Sequence, residues 1–113
     1  SPSHLDWSKK TKNIHNDLIV PWYSTKVFED LGFKDSYRHE NPNPLKHPGI
    51  TWDHKERDDS HRIDYIFFKG KKIKSISSVT YMQFFNEYIN INDKQFKYPS
   101  DHGIVVTNFK LKN

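Results

Sequence analysis

The chain has 113 residues, no cysteine, a formal net charge of +4 and 17 aromatic rings, namely three Trp, six Tyr and eight Phe. That length allows one domain and not comfortably two, the missing cysteines exclude a disulfide framework and a thiolate metal site, and no apolar run reaches a membrane span or opens the chain as a signal peptide. A hydrophobic share of only 34% beside 15% aromatics points to a small core built on large rings, because disordered chains are poor in aromatics. The positive charge suits an anionic substrate and equally an ordinary basic surface.

In chain order, Ser3-His4-Leu5-Asp6 reads as a shortened capping box with Ser3 as the N-cap. Ser24 or Thr25 caps a helix that runs through Val27, Phe28 and Leu31 and is closed by Gly32. Residues 39–61 read as a long loop, with Pro42, Pro44, Pro48, Gly49 and four histidines, interrupted by the extended piece Gly49-Ile50-Thr51-Trp52. A loop of this length inside a compact domain is more often functional or mobile than decorative. Its histidines His39, His47, His54 and His61 lack the tight spacing of a structural zinc site.

Residues 62–68 alternate, with Ile63, Tyr65 and Phe67 on one face and Arg62, Asp64, Ile66 and Phe68 on the other. Both faces carry large apolar groups, which predicts a central strand. A polar turn, Lys69-Gly70-Lys71-Lys72, leads into a second strand over residues 73–79, and the lysines from 69 to 74 form a charged hairpin tip open to nucleic-acid contact or plain solvation. Tyr81, Phe84, Phe85 and Tyr88 stand at helical spacing, as a short helix or an aromatic-rich loop. Residues 103–111 form a last strand. The order of elements predicts α+β, with helices on one face of a mostly antiparallel sheet.

Two polar insertions are expensive in such strands. Asp64 interrupts an apolar strand, and Asp101 and His102 stand just before another. A buried carboxylate must be paired or hydrogen-bonded. An Asp facing a His satisfies both, because the carboxylate accepts the ring N–H and fixes the tautomer, which leaves the second nitrogen for proton transfer. From spacing alone, Asp64 capping a turn or pairing with Arg62 fits as well.

The block Arg62-Ile63-Asp64-Tyr65-Ile66 resembles the Arg-Ile-Asp-Tyr-Ile block of the endonuclease/exonuclease/phosphatase family. Tyr98-Pro99-Ser100-Asp101-His102-Gly103-Ile104-Val105-Val106 resembles that family's terminal Ser-Asp-His block running into the last strand. Gly32-Phe33-Lys34-Asp35-Ser36-Tyr37-Arg38 and Gly49-Ile50-Thr51-Trp52 look like its intervening segments, in the same order. The resemblance implies one domain unit over residues 1–113, the C-terminal half of a four-layered α/β-β/α sandwich. Ser1-Pro2-Ser3-His4-Leu5-Asp6-Trp7 looks like the stretch that follows the family's Gly-Asp-Phe-Asn block. That block and the family's Glu metal ligand have no counterpart in these residues, so an N-terminal half is expected elsewhere. Ser1 as first residue and Met82 as sole methionine agree with a processed or internal start.

The resemblance also implies an activity, hydrolysis of a phosphate ester with Mg2+ or Mn2+, in which the metal polarises the phosphoryl group for attack by water. His102 is then the histidine that contacts the phosphate as general base or transition-state donor. Asp64 is the carboxylate that orients it, and Asp101 is the neighbour that touches a metal or its water shell. Substrates in the family range over nucleic acids, phosphoinositides and phospholipid. Gly103 departs from the larger residue that many members carry after the pair. Asp101 alone binds magnesium poorly, since that ion needs several oxygen ligands, and this chain by itself is expected to be inactive. Three further candidates face the substrate in this reading: His4, against a surface or capping role; Trp52 with Thr51, against a packed core tryptophan; and Arg38, against a surface ion pair with Asp35. The rival reading is a binding or structural module that kept the fold and lost the chemistry. Exposed apolar surface is expected, to be covered by the other half or by self-association.

Overall fold

The computed structural model describes Asp6 and residues 22–54, 59–82 and 87–113, with the backbone alone at His54 and Asp59. The expected capping box at Ser3, the candidate His4 and the aromatic pair Phe84 and Phe85 lie outside the described residues.

Helix α1 spans Tyr23–Asp30, with Trp22 at its N-cap and no side-chain cap. It starts before both expected caps, and the Thr25 hydroxyl instead donates back to the Trp22 carbonyl at 3.1 Å. Its end is as the sequence predicts. Gly32 takes φ of 83°, its N–H donates to the Glu29 carbonyl, and the Phe33 N–H reaches the Phe28 carbonyl, each at 2.9 Å. This double closure satisfies carbonyls that the last turn leaves open. Phe28 meets Phe33 edge to face at 5.8 Å and stacks on Phe67 at 5.1 Å, which ties an otherwise exposed helix down.

Strand β1 (Lys34–Asp35) leads into a second helix, α2 (Ser36–Glu40), whose N-cap is Asp35. No helical periodicity marks five residues, so the sequence does not predict α2; only the capping carboxylate hints at it.

Strand β2 (Trp52–His54) pairs antiparallel with β3 (Asp59–His61), and β1 pairs antiparallel with β4 (Phe67–Phe68). The alternation of residues 62–68 predicts a central strand, but only its last two residues are one, in a two-stranded sheet. The reason lies in where the backbone bonds go. Ile63 and Asp64 donate their N–H groups to the Thr51 hydroxyl oxygen, the Ile66 carbonyl accepts from Ser36, and the Tyr65 hydroxyl donates to the Arg62 carbonyl. Side chains and a helix start have taken the places of ladder partners.

The longest pairing joins β5 (Ile73–Tyr81) to β8 (Ile104–Leu111), antiparallel, with an irregularity between Ser75 and Ser77. Both strands match their predicted positions. Helix α2 packs on them through small polar groups. Thr107 Oγ1 bonds the Ser36 hydroxyl at 2.7 Å and the Ser78 hydroxyl at 2.8 Å, the Ser75 hydroxyl donates to the Glu40 carboxylate, and the Asn41 amide donates to the Ser78 carbonyl at 2.9 Å. Phe68 lies edge-on to Phe109 at 5.3 Å. The unpredicted hairpin of β6 (Tyr88–Ile91) and β7 (Lys94–Lys97) turns on Asn92 and Asp93, at φ of 49° and 62°. Two central residues of positive φ match the twist of the flanking strands.

The fold class is α+β with small, open, antiparallel sheets. Among the described residues the buried hydrophobic core consists of Tyr37 and Phe68, while Val79 and Val106, paired across β5 and β8, are exposed together with Tyr81. No described helix is long and apolar enough to cross a membrane.

Candidate functional site

Asp64 and His102, 38 residues apart in sequence, meet. His102 Nδ1 lies 3.0 and 2.8 Å from the two carboxylate oxygens of Asp64. A carboxylate only accepts, so Nδ1 carries a proton, and in the neutral ring Nε2 holds the lone pair. About a third of each side chain is exposed, 36% for His102 and 35% for Asp64, so the pair is ordered yet open to a ligand.

Neither partner sits in a ladder. Asp64 lies between β3 and β4, and its N–H donates to Thr51 Oγ1 at 3.2 Å. His102 precedes β8, and its own N–H donates to Ser100 Oγ at 3.0 Å. The next residue, Gly103, donates to the Thr51 carbonyl at 2.6 Å. A Cβ at Gly103 would stand 2.6 Å from the Tyr81 carbonyl oxygen and collide with the Met82 sulfur. The glycine after the Asp–His pair is therefore what lets this segment approach the end of β5.

Asp101 is exposed, and its Oδ1 lies 3.8 Å from His102 Nε2. At that distance it adds negative charge beside the outward ring nitrogen without a direct hydrogen bond. The described residues hold no group of three or more His, Cys, Asp or Glu suited to a metal ion. One carboxylate does not make the near-octahedral oxygen cage that magnesium requires, so the described residues alone do not fit such an ion.

The other candidates fall in different places. Thr51 is fully buried, so it forms no substrate wall. Trp52 is half-buried, with its ring stacked on His61 at 6.0 Å and 13°, a cross-strand partner in β2 and β3. Arg38 is not at the surface. It is 4% exposed, its Nε contacts Asp6 Oδ1 at 2.6 Å, and its Nη1 donates to the carbonyls of Asn41 and His47 at 2.7 and 2.9 Å.

Arg38 belongs to a buried cluster that sequence reasoning missed. Arg62 donates from Nε and Nη2 to Asp6 Oδ2 at 2.9 and 2.6 Å, and from Nη1 and Nη2 to Asp35 at 3.1 and 2.5 Å. Both guanidinium groups lie over the Tyr37 ring, at 5.4 and 5.5 Å. Gly49, at φ of 68°, leaves room for that stack, since a Cβ there would run into the Tyr37 ring and Arg62 Cδ. Two Arg and two Asp cancel in charge. Burial opposes the charge on Arg62, but hydrogen bonds and attraction from Asp35, then Asp6, outweigh it and raise Arg62 above its ordinary range. Burial prevails at Arg38, which is lowered despite Asp6. Arg62 thus pairs with Asp6 and Asp35, which removes the reading of Asp64 as its partner. The missed signal is an Asp 56 residues upstream of Arg62, with no local pattern to join them.

No protein-family model matches the chain, and no solved structure matches it. The chain is similar to a Caenorhabditis elegans protein described as "Uncharacterized protein F14F9.5", at 34% identity over 119 residues, covering 96% of this chain and 37% of that protein. The chain thus spans little more than a third of the length of the curated relative it matches.

Proposed function

We propose that this chain is the C-terminal part of a divalent-metal-dependent phosphate-ester hydrolase of the endonuclease/exonuclease/phosphatase type, with His102 as the catalytic histidine and Asp64 as the carboxylate that orients it. The observation that supports this reading is the geometry of the pair. Nδ1 is turned onto a carboxylate, and Nε2 is the nitrogen left for substrate. From that position Nε2 takes a proton from the attacking water or, once protonated, donates to a phosphoryl oxygen. Asp64 stabilises the imidazolium in either case. Asp101, with Oδ1 3.8 Å from Nε2, stands ready to bind the water shell of a cation.

Mg2+ or Mn2+ supplies charge neutralisation at the phosphoryl group in such enzymes. The resemblance puts its principal ligands in an N-terminal half, and this chain covers only 37% of the worm relative's length. The same half would complete a four-layered sandwich by covering the sheet face that carries Val79 and Val106. Nucleic acid, phosphoinositide and phospholipid all present the phosphate ester that this chemistry needs.

The test is hydrolysis of bis(p-nitrophenyl) phosphate by the longer protein. Activity is expected to vanish with EDTA and to return with Mg2+ or Mn2+. His102→Ala is expected to lower kcat by about 10²–10⁴-fold, the usual worth of a general acid or base. A wild-type rate in that variant, or activity indifferent to EDTA, sinks the assignment. Loss of all hydrolysis in the intact longer protein leaves the binding-module reading in its place.

A further inference from the structure

Thr51 is fully buried and bonded to two separate segments, residues 61–64 and Gly103. Its N–H donates to the His61 carbonyl at 3.0 Å, and its carbonyl accepts the Gly103 N–H at 2.6 Å. Its hydroxyl oxygen accepts the consecutive N–H groups of Ile63 and Asp64 at 3.1 and 3.2 Å. One end of this residue therefore holds the backbone of Asp64, and the other holds the residue that follows His102. Since neither member of the pair lies in a strand, no ladder sets the distance between them. A valine has the same shape as threonine and cannot receive two N–H groups.

We infer that Thr51 is a positioning residue, which sets the spacing of the Asp64 carboxylate and the His102 imidazole and thereby fixes which ring nitrogen is protonated. Only its consequence for turnover rests on the hydrolase reading; the effect on the ring does not. Thr51 touches no reacting atom. It acts through the backbone on both sides of the pair, where a displacement of about 1 Å is enough to cost two orders of magnitude in rate.

The first experiment uses the chain itself. Nitrogen-15 spectra of the neutral His102 ring are compared in wild type, Thr51→Ser, Thr51→Val and Asp64→Asn. Wild type and Thr51→Ser are expected to hold the proton on Nδ1, while Thr51→Val and Asp64→Asn shift it toward Nε2. A folded Thr51→Val with the wild-type tautomer overturns the inference. If Thr51→Val does not fold, amide exchange in wild type decides. The Ile63 and Asp64 amides are expected to be protected like Gly103, and open-chain exchange rates at the first two overturn it. In the longer protein, Thr51→Val is expected to lower kcat by about ten- to a hundredfold with KM little changed, and Thr51→Ser to restore it. A tautomer that responds to Thr51 in a protein that hydrolyses no phosphate ester keeps the positioning role and removes the hydrolase. Hydrolysis with an unresponsive tautomer does the reverse.

Discussion

Two regions of this protein are built from carboxylates facing basic side chains, and they differ in what they leave over. Around Tyr37, Arg38 and Arg62 are spent on Asp6 and Asp35, and all four are at most 5% exposed. At the other site Asp64 holds one nitrogen of His102, both side chains stay about a third open, and the second nitrogen is unspent on that carboxylate. The first arrangement ties together a fold whose described residues include few buried hydrophobic side chains. The second keeps a proton-accepting ring nitrogen, Nε2, at a solvent boundary, where proton exchange with a ligand can take place. The residue types are nearly the same, so burial and surplus valence separate the structural region from the candidate catalytic one.

The largest way to break that contrast is to open the cluster. Arg62→Met leaves Asp6 and Asp35 buried without their main partner. Removing one member of a buried ionic group is expected to cost about 3–5 kcal/mol, read as a lower urea midpoint at unchanged slope. Replacing the whole group with apolar residues of equal volume need not be costly, so a single loss is the sharper measurement. A change within 1 kcal/mol at this position removes the structural role assigned to the cluster.

A smaller loss is expected at the junction between the regions. Gly103→Ala drives a methyl against the Tyr81 carbonyl, and overpacking of this kind typically costs about 1–3 kcal/mol. Because the added carbon meets backbone, relief must come from the segment that carries His102. The change should therefore disturb the His102 ring signals while leaving those of Tyr37 in place.

How much of this was legible beforehand depends on the range of each interaction. The end of α1 was readable at Gly32, and β5 and β8 from their own apolar patterns, because these signals are local. The Asp–His pair was legible only through ordered sequence blocks; spacing alone left Asp64 equally suited to Arg62. The alternation of residues 62–66 misled, since the physical decision was made by the hydroxyl of Thr51, eleven residues before Arg62. The turn at Asn92 and Asp93 was readable in principle, as two residues tolerant of positive φ between polar and apolar alternation. The pairing of Asp6 with Arg62 was not readable, for an ion pair across 56 residues leaves no periodicity.

Tyr65 links the two regions and gives the pH test. Burial holds its hydroxyl above the ordinary tyrosine range; Arg62 opposes this, and the carboxylates of Asp6, Asp35 and Asp64 reinforce it. An unfolded tyrosine ionises near pH 10, where the folded one still keeps its proton. Stability from this group is therefore full below about pH 10 and lost as pH rises above it toward the folded value. Tyr65→Phe is expected to cost about 0.5–1.5 kcal/mol at neutral pH, for the bond to the Arg62 carbonyl. It should also flatten the alkaline decline relative to wild type in urea unfolding across that range. An unchanged alkaline slope separates Tyr65 from the cluster.

The smallest effect on stability belongs to the residue with the largest proposed effect on rate. His102→Ala removes a partly exposed partner from Asp64, whose carboxylate can then turn to water. A contact this open is worth at most about 1 kcal/mol. The urea midpoint of His102→Ala should thus stay near wild type, while that of Arg62→Met falls far below it. A loss at His102 as large as that at Arg62 would place both in one structural network and erase the distinction between the two regions. A small loss, combined with the collapse of kcat expected in the longer protein, assigns the two sets of charges their separate work.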